Sequence, residues 1–201
     1  FTGSSGVWTP TSNRTLTFNG SGDTVWGVPT STTNAFGASI TYSGTGTLTI
    51  SAVQDAFKAA GTAPNLTVSS GAVRIGANNV LPTGSTYGNT VMSPAVGTTA
   101  TLDLNGFAQD FNGFTANSAG TSILDAKSGT ARTVTFGLGD ASVSLGSVTA
   151  STPVISSFTF RNSAAGVLSL TKGGTGTMTV YGGATLAHTG ATTVNAGTLT
   201  L

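Results

Sequence analysis

Three short motifs each occur twice in this chain, in the same order, and that recurrence limits the possible folds more than any other feature. Arg14-Thr-Leu-Thr-Phe18 returns as Arg132-Thr-Val-Thr-Phe136, and each copy is followed by a Gly-x-Gly-Asp ending at Asp23 or Asp140. Gly44-Thr-Gly-Thr-Leu-Thr-Ile50 returns as Gly174-Thr-Gly-Thr-Met-Thr-Val180, and Ser70-Gly-Ala-Val-Arg-Ile75 as Ala196-Gly-Thr-Leu-Thr-Leu201. The copies are not evenly spaced, so loops vary in length while strands are kept, as in a solenoid whose coils stack. Residues 14–75 and 132–201 read as two related blocks within one domain spanning 1–201, with 76–131 a spacer of the same composition.

Inside and outside these motifs, Thr or Ser alternates with an apolar residue. Leu16/Phe18, Ile40/Tyr42, Leu48/Ile50, Leu102/Leu104, Phe158/Phe160 and Leu168/Leu170 are examples. A period of two is that of a strand with one face buried and one in water, and Gly- and Asn-rich breaks supply the turns between strands. The reading is all-β. Only residues 53–60 suggest helix, where Ala and Lys replace β-branched residues ahead of Gly61. Short strands at regular intervals fit either a parallel β-helix or a β-sandwich. Asn19-Gly20, Asn105-Gly106 and Asn112-Gly113 are the only Asn-Gly hairpin signals, and Asp-Gly is absent, so the parallel β-helix is the expected fold and the sandwich the alternative.

Charge narrows the function. Lys+Arg 7 against Asp+Glu 6 makes only 6% of the residues charged, where roughly 25% is usual. A net charge of +1 with no basic run in the sequence offers no footprint for nucleic-acid phosphates, and insertion into a membrane is not expected. With no cysteine, disulfides and thiolate metal sites are excluded.

Candidate chemistry is sparse. Glutamate is absent, leaving Asp23, Asp55, Asp103, Asp110, Asp125 and Asp140, with Arg14, Arg74, Arg132 and Arg161 as possible partners. A polysaccharide-cleaving site would need Asp103, Asp110 and Asp125 to converge on neighbouring coils; otherwise these residues make turns and accept backbone N–H bonds. Two isolated Gly-x-Gly-Asp sequences do not assemble the six to eight oxygens of a calcium site. His188, the one histidine, is expected in a solvent-facing turn. Gly173-Gly-Thr-Gly176 precedes no helix and so makes no phosphate cradle. Trp8, Trp26, Tyr42, Tyr87 and Tyr181 would stack on a glycan if they lay together, but are more simply core or coil-cap residues. No enzyme activity, nucleotide, cofactor or metal is expected.

Leu170-Thr-Lys-Gly-Gly-Thr-Gly-Thr-Met-Thr-Val180 followed by Gly190-Ala-Thr-Thr-Val-Asn-Ala-Gly-Thr-Leu199 resembles the passenger-associated β-strand repeat of bacterial autotransporters. Ala72-Val-Arg-Ile-Gly-Ala-Asn-Asn-Val-Leu-Pro82 and Ala100-Thr-Leu-Asp-Leu-Asn-Gly-Phe107 resemble phrases that follow such repeats. The resemblance implies a right-handed parallel β-helix, secretion, and exposure at the bacterial cell surface. It departs from the pattern at Tyr42-Ser43, where Thr-Lys is usual.

The expected role is therefore a structural surface fibre or stalk, with an adhesin passenger binding host or glycan as the alternative and a polysaccharide-cleaving enzyme as a remote one. The last residues, Val194-Asn-Ala-Gly-Thr-Leu-Thr-Leu201, form an apolar strand with no polar cap. Val194, Leu199 and Leu201 are the expected contacts for head-to-tail assembly with another copy.

Overall fold

The computed structural model describes residues 14–30, 38–54, 64–81, 83, 88–148 and 155–201. The chain winds into a parallel β-helix, as the alternation and repeats predict. Each pass lays a strand on one sheet, turns a corner, lays a strand on a second sheet and returns along a third side.

The first sheet stacks β1 (Arg14–Phe18), β3 (Ala38–Tyr42), β5 (Pro64–Val68), β7 (Asn89–Met92), β9 (Gly113–Ala116), β12 (Val143–Leu145), β16 (Thr177–Val180) and β19 (Thr198–Thr200). The second stacks β2 (Thr24–Trp26), β4 (Thr47–Ile50), β6 (Gly71–Ile75), β8 (Thr99–Asp103), β10 (Thr121–Asp125), β14 (Ile155–Arg161) and β17 (Ala184–Ala187). A short strand, β13 (Ser147–Val148), lies antiparallel to β14. The third sheet holds β11 (Arg132–Phe136), β15 (Leu168–Lys172) and β18 (Thr192–Val194). Hydrogen bonds between passes join residues 21 to 38 positions apart, so insertions are absorbed in the corners while the strands keep register.

The register explains the alternation. Leu16, Ile40, Leu66, Thr90, Phe114, Val143, Met178 and Leu199 form one continuous row along the inside of the first sheet. The next residues, Thr17, Thr41, Thr67, Val91, Thr115, Ser144, Thr179 and Thr200, form the matching outer row. One pass fills the rows with other residue types: β7 keeps the parity of its neighbours but places Thr90 in the inner row and Val91 in the outer one, next to the register shift between Pro64 and Leu66.

The interior is apolar along its length and aromatic in the middle. Phe111, Phe114, Phe136, Phe158 and Phe160 are buried with ring centroids 5.1 to 5.8 Å apart, in edge, tilted and stacked pairs. In the earlier passes the third side has no strand among the described residues, and buried side-chain amides hold it. The Gln54 amide accepts from Trp26 Nε1 at 3.2 Å and donates to the carbonyls of Val28 and Ala52. Gln109 closes on both the N–H and the carbonyl of Leu81, each at 3.0 Å.

The duplicated motifs occupy different faces. Arg14–Phe18 is in the first sheet and its copy Arg132–Phe136 in the third; Gly44–Ile50 and Ser70–Ile75 end in second-sheet strands, and their copies in first-sheet strands. Every later copy sits one face back in the circuit. The side-chain period is the same on each face, so one motif can serve any of them. Residues 55–60, most of the stretch with helical character, lie outside the described residues. Among the described residues no helix is long and apolar enough to cross a membrane.

Candidate functional site

At the corner where the second sheet turns toward the third side, coil stacking gathers charges that are far apart in the sequence. Arg74, Asp103, Asp125 and Arg161 occupy successive rungs of β6, β8, β10 and β14, each in register with the next. Arg74 Nε lies 3.0 Å and Lys127 Nζ 2.8 Å from Asp103 Oδ2, and Arg161 Nε lies 2.9 Å from Asp125 Oδ2. The other carboxylate oxygens accept backbone N–H groups: Asn105 at 2.8 Å on Asp103, and Lys127 at 3.1 Å with Ser163 at 3.0 Å on Asp125. Arg132 adjoins them, its Nε donating to the Gly106 carbonyl at 3.1 Å.

The layering is polar in depth. The carboxylate side chains are 3% and 1% exposed, whereas Arg74, Lys127 and Arg161 are 42%, 41% and 45% exposed. Solvent therefore meets cations lying over buried anions. Burial pushes the Asp125 carboxyl up, but the bonds from Ser163, Arg161 and Lys127 outweigh it and hold it below the usual carboxylate range. With both oxygens occupied, such a carboxylate has no proton to donate and is a weak base. The corner is equipped to receive an anion rather than to abstract a proton.

Two corners repeat the same local geometry. Asp103-Leu-Asn105 and Asp125-Ala-Lys127 each form a turn in which the Asp oxygen accepts the N–H two residues on. Asn105 (φ 50°) and Lys127 (φ 45°) both have left-handed backbone. Asn tolerates that conformation; lysine does so at a cost.

Asp103 and Asp125 thus come together as the sequence allowed, but Asp110 does not join them. It accepts the Thr135 N–H of the next pass at 2.8 Å. Asp23 and Asp140 likewise accept the N–H groups of Thr47 (2.8 Å) and Thr175 (2.6 Å), and Asp55 lies outside the described residues. Among the described residues no three His, Asp or Glu side chains come together as a metal requires. The turn at Gly173–Gly176 packs against the preceding pass, where a Cβ at Gly174 would strike the Gly137 carbonyl oxygen; its glycines serve close approach.

His188 corrects an expectation. It lies in the loop after β17 but is only partly turned to solvent: its ring packs 5.8 Å from the Phe160 ring, Nε2 lies 2.7 Å from Thr192 Oγ1, and burial lowers its pKa. Trp26 and Tyr42 are core residues, Tyr181 is exposed, and Trp8 and Tyr87 lie outside the described residues. Val194 ends β18 opposite Lys172, Leu199 packs behind Met178, and Leu201 follows β19; Val194 and Leu201 are 47% and 87% exposed.

The sequence carried no sign of the basic corner, because Arg74, Lys127, Arg132 and Arg161 meet only through the register. Lys172 was equally hidden. It is fully buried, with Nζ donating to the carbonyls of Gly173, Gly174 and Ala196, and burial lowers its pKa against the opposing pull of Asp140. No family model, curated protein or solved structure matches the chain.

Proposed function

We propose that the chain is a length of structural rod displayed at a bacterial cell surface, extended end to end through its β-edges. One observation carries this reading: each of the five described aspartates bonds to a residue on an adjacent pass. The acidic groups are thereby committed to holding coil to coil. The resemblance to the autotransporter passenger repeat supports secretion and surface exposure. A second copy stacking on β18 and β19 would continue the sheets through Val194, Leu199 and Leu201, adding rungs without new chemistry.

Electron microscopy and sedimentation of the purified chain over a wide concentration range test the assembly. Rods longer than one chain, shortened by Leu199→Asp, are expected. A monodisperse monomer at high concentration refutes end-to-end assembly and leaves a rod extended only within a longer chain. The alternative, an adhesin passenger, is favoured by the layer of exposed cations at the corner, which a bare scaffold does not require.

A further inference from the structure

We infer that the corner formed by Arg74, Lys127, Arg132 and Arg161 binds an acidic polysaccharide lying along the axis of the rod. This goes beyond the scaffold role and does not depend on end-to-end assembly.

Three independent features converge on it. The first is segregation. Four of the seven Lys and Arg residues meet on one corner, while the outer row Thr17–Thr41–Thr67–Val91–Thr115–Ser144–Thr179–Thr200 is uncharged.

The second is preorganisation. Arg74 and Arg161 are each anchored through Nε to a buried carboxylate, and Arg132 through Nε to a carbonyl. A guanidinium carries five N–H donors in a planar fork suited to carboxylate or sulfate. Anchoring it beforehand lowers the ordering cost of binding.

The third is Lys127. The preceding rung places Asn105 at the same position of the same turn, with the same left-handed backbone. A side chain with a Cβ beyond Asn is disfavoured there, and tolerated backbone strain is concentrated at functional sites. The lysine puts an ammonium between Arg74 and Arg161, which stand three rungs apart, about 14 Å at about 4.8 Å per rung.

The ligand follows from this line of charges. Uronic-acid and sulfated polysaccharides present one anionic group per sugar or disaccharide along a linear chain, at intervals comparable with the rungs. Two of the four cations are balanced by Asp103 and Asp125, so the corner lacks the six to ten phosphate contacts of a typical nucleic-acid site.

The test uses the whole chain, with polygalacturonate and dextran sulfate as acidic probes, neutral dextran as control, and duplex DNA as the competing polyanion. Binding to an acidic probe, weakened about tenfold between about 50 and about 200 mM salt, is expected. The two acidic probes distinguish a carboxylate from a sulfate ligand. Lys127→Asn should keep the fold, checked by circular dichroism, because Asn105 already fills the equivalent place, yet bind about fivefold more weakly. Adding Arg161→Gln should deepen the loss to about twentyfold. The inference is overturned if the parent chain binds neither acidic probe, if dextran binds as well, if Lys127→Asn binds unchanged, or if DNA binds more tightly than both.

Discussion

Asp125 gives the sharpest test of how the coils are held together. Its side chain is 1% exposed and accepts N–H groups from its own turn (Lys127) and from the next pass (Ser163), besides the Arg161 guanidinium. In Asp125→Ala both backbone N–H groups lose their acceptor, at about 1–3 kcal/mol each when buried. They are only partly buried, so the low end applies, and with the lost charge-assisted bond the total is about 3 kcal/mol. Asp125→Asn keeps an oxygen for the N–H groups and removes only the charge, so about 1–2 kcal/mol is expected. Urea denaturation followed by circular dichroism measures both. The pH dependence supplies an internal check. The folded-state pKa lies below the ordinary value, so the contribution is full above about pH 4 and is lost as the pH falls through the folded value. Asp125→Asn should flatten that acid limb. If Asp125→Ala unfolds within about 0.5 kcal/mol of the parent, the coil-tying role is wrong.

Other substitutions probe the interior and the turns. The Tyr42 hydroxyl is buried without a partner among the described residues, so Tyr42→Phe should stabilise by about 1 kcal/mol, read as a higher urea midpoint. Phe114 lies at the centre of the aromatic cluster, and Phe114→Ala should cost about 3–5 kcal/mol in the same titration. Gly174 has φ 57° and faces the Gly137 carbonyl oxygen. Gly174→Ala should therefore lower the melting temperature, whereas Gly129→Ala, which meets nothing within 4 Å, should leave it nearly unchanged.

What could be read from the sequence is what repeats on every pass. Leu16/Phe18 and Ile40/Tyr42 announce their inward faces because side-chain direction along a strand depends only on parity. Features that depend on register between distant segments were hidden. Nothing near Arg74 in the sequence points to Asp103, and the insertions that set their register carry no pattern of their own. The places of Thr90 and Val91 escaped for a related reason, since their faces follow from the register with Leu66 and Phe114 and not from residue type. His188 and Lys172 were misleading as residue types: both are polar, yet one packs on Phe160 and the other is buried, donating to three turn carbonyls.

The scarcity of charge itself follows from the architecture. In a parallel, in-register stack, each outward residue has its counterparts about 4.8 Å above and below. Like charges at that spacing repel by somewhat under 1 kcal/mol per neighbouring pair even in water. A charge kept on every pass of an eight-strand row would accumulate that cost seven times, whereas Thr adds a β-branched side chain that suits the pleat and a neutral hydroxyl. Charges can persist only where signs alternate or a third group intervenes. The corner uses both devices: Arg74 and Arg161 flank the two carboxylates, and Lys127 reaches back to Asp103 at the contact where two like charges are adjacent. If that is why the row is tolerated, removing the Lys127 side chain should raise the Asp125 pKa from its lowered value, which NMR of its carboxyl carbon would detect.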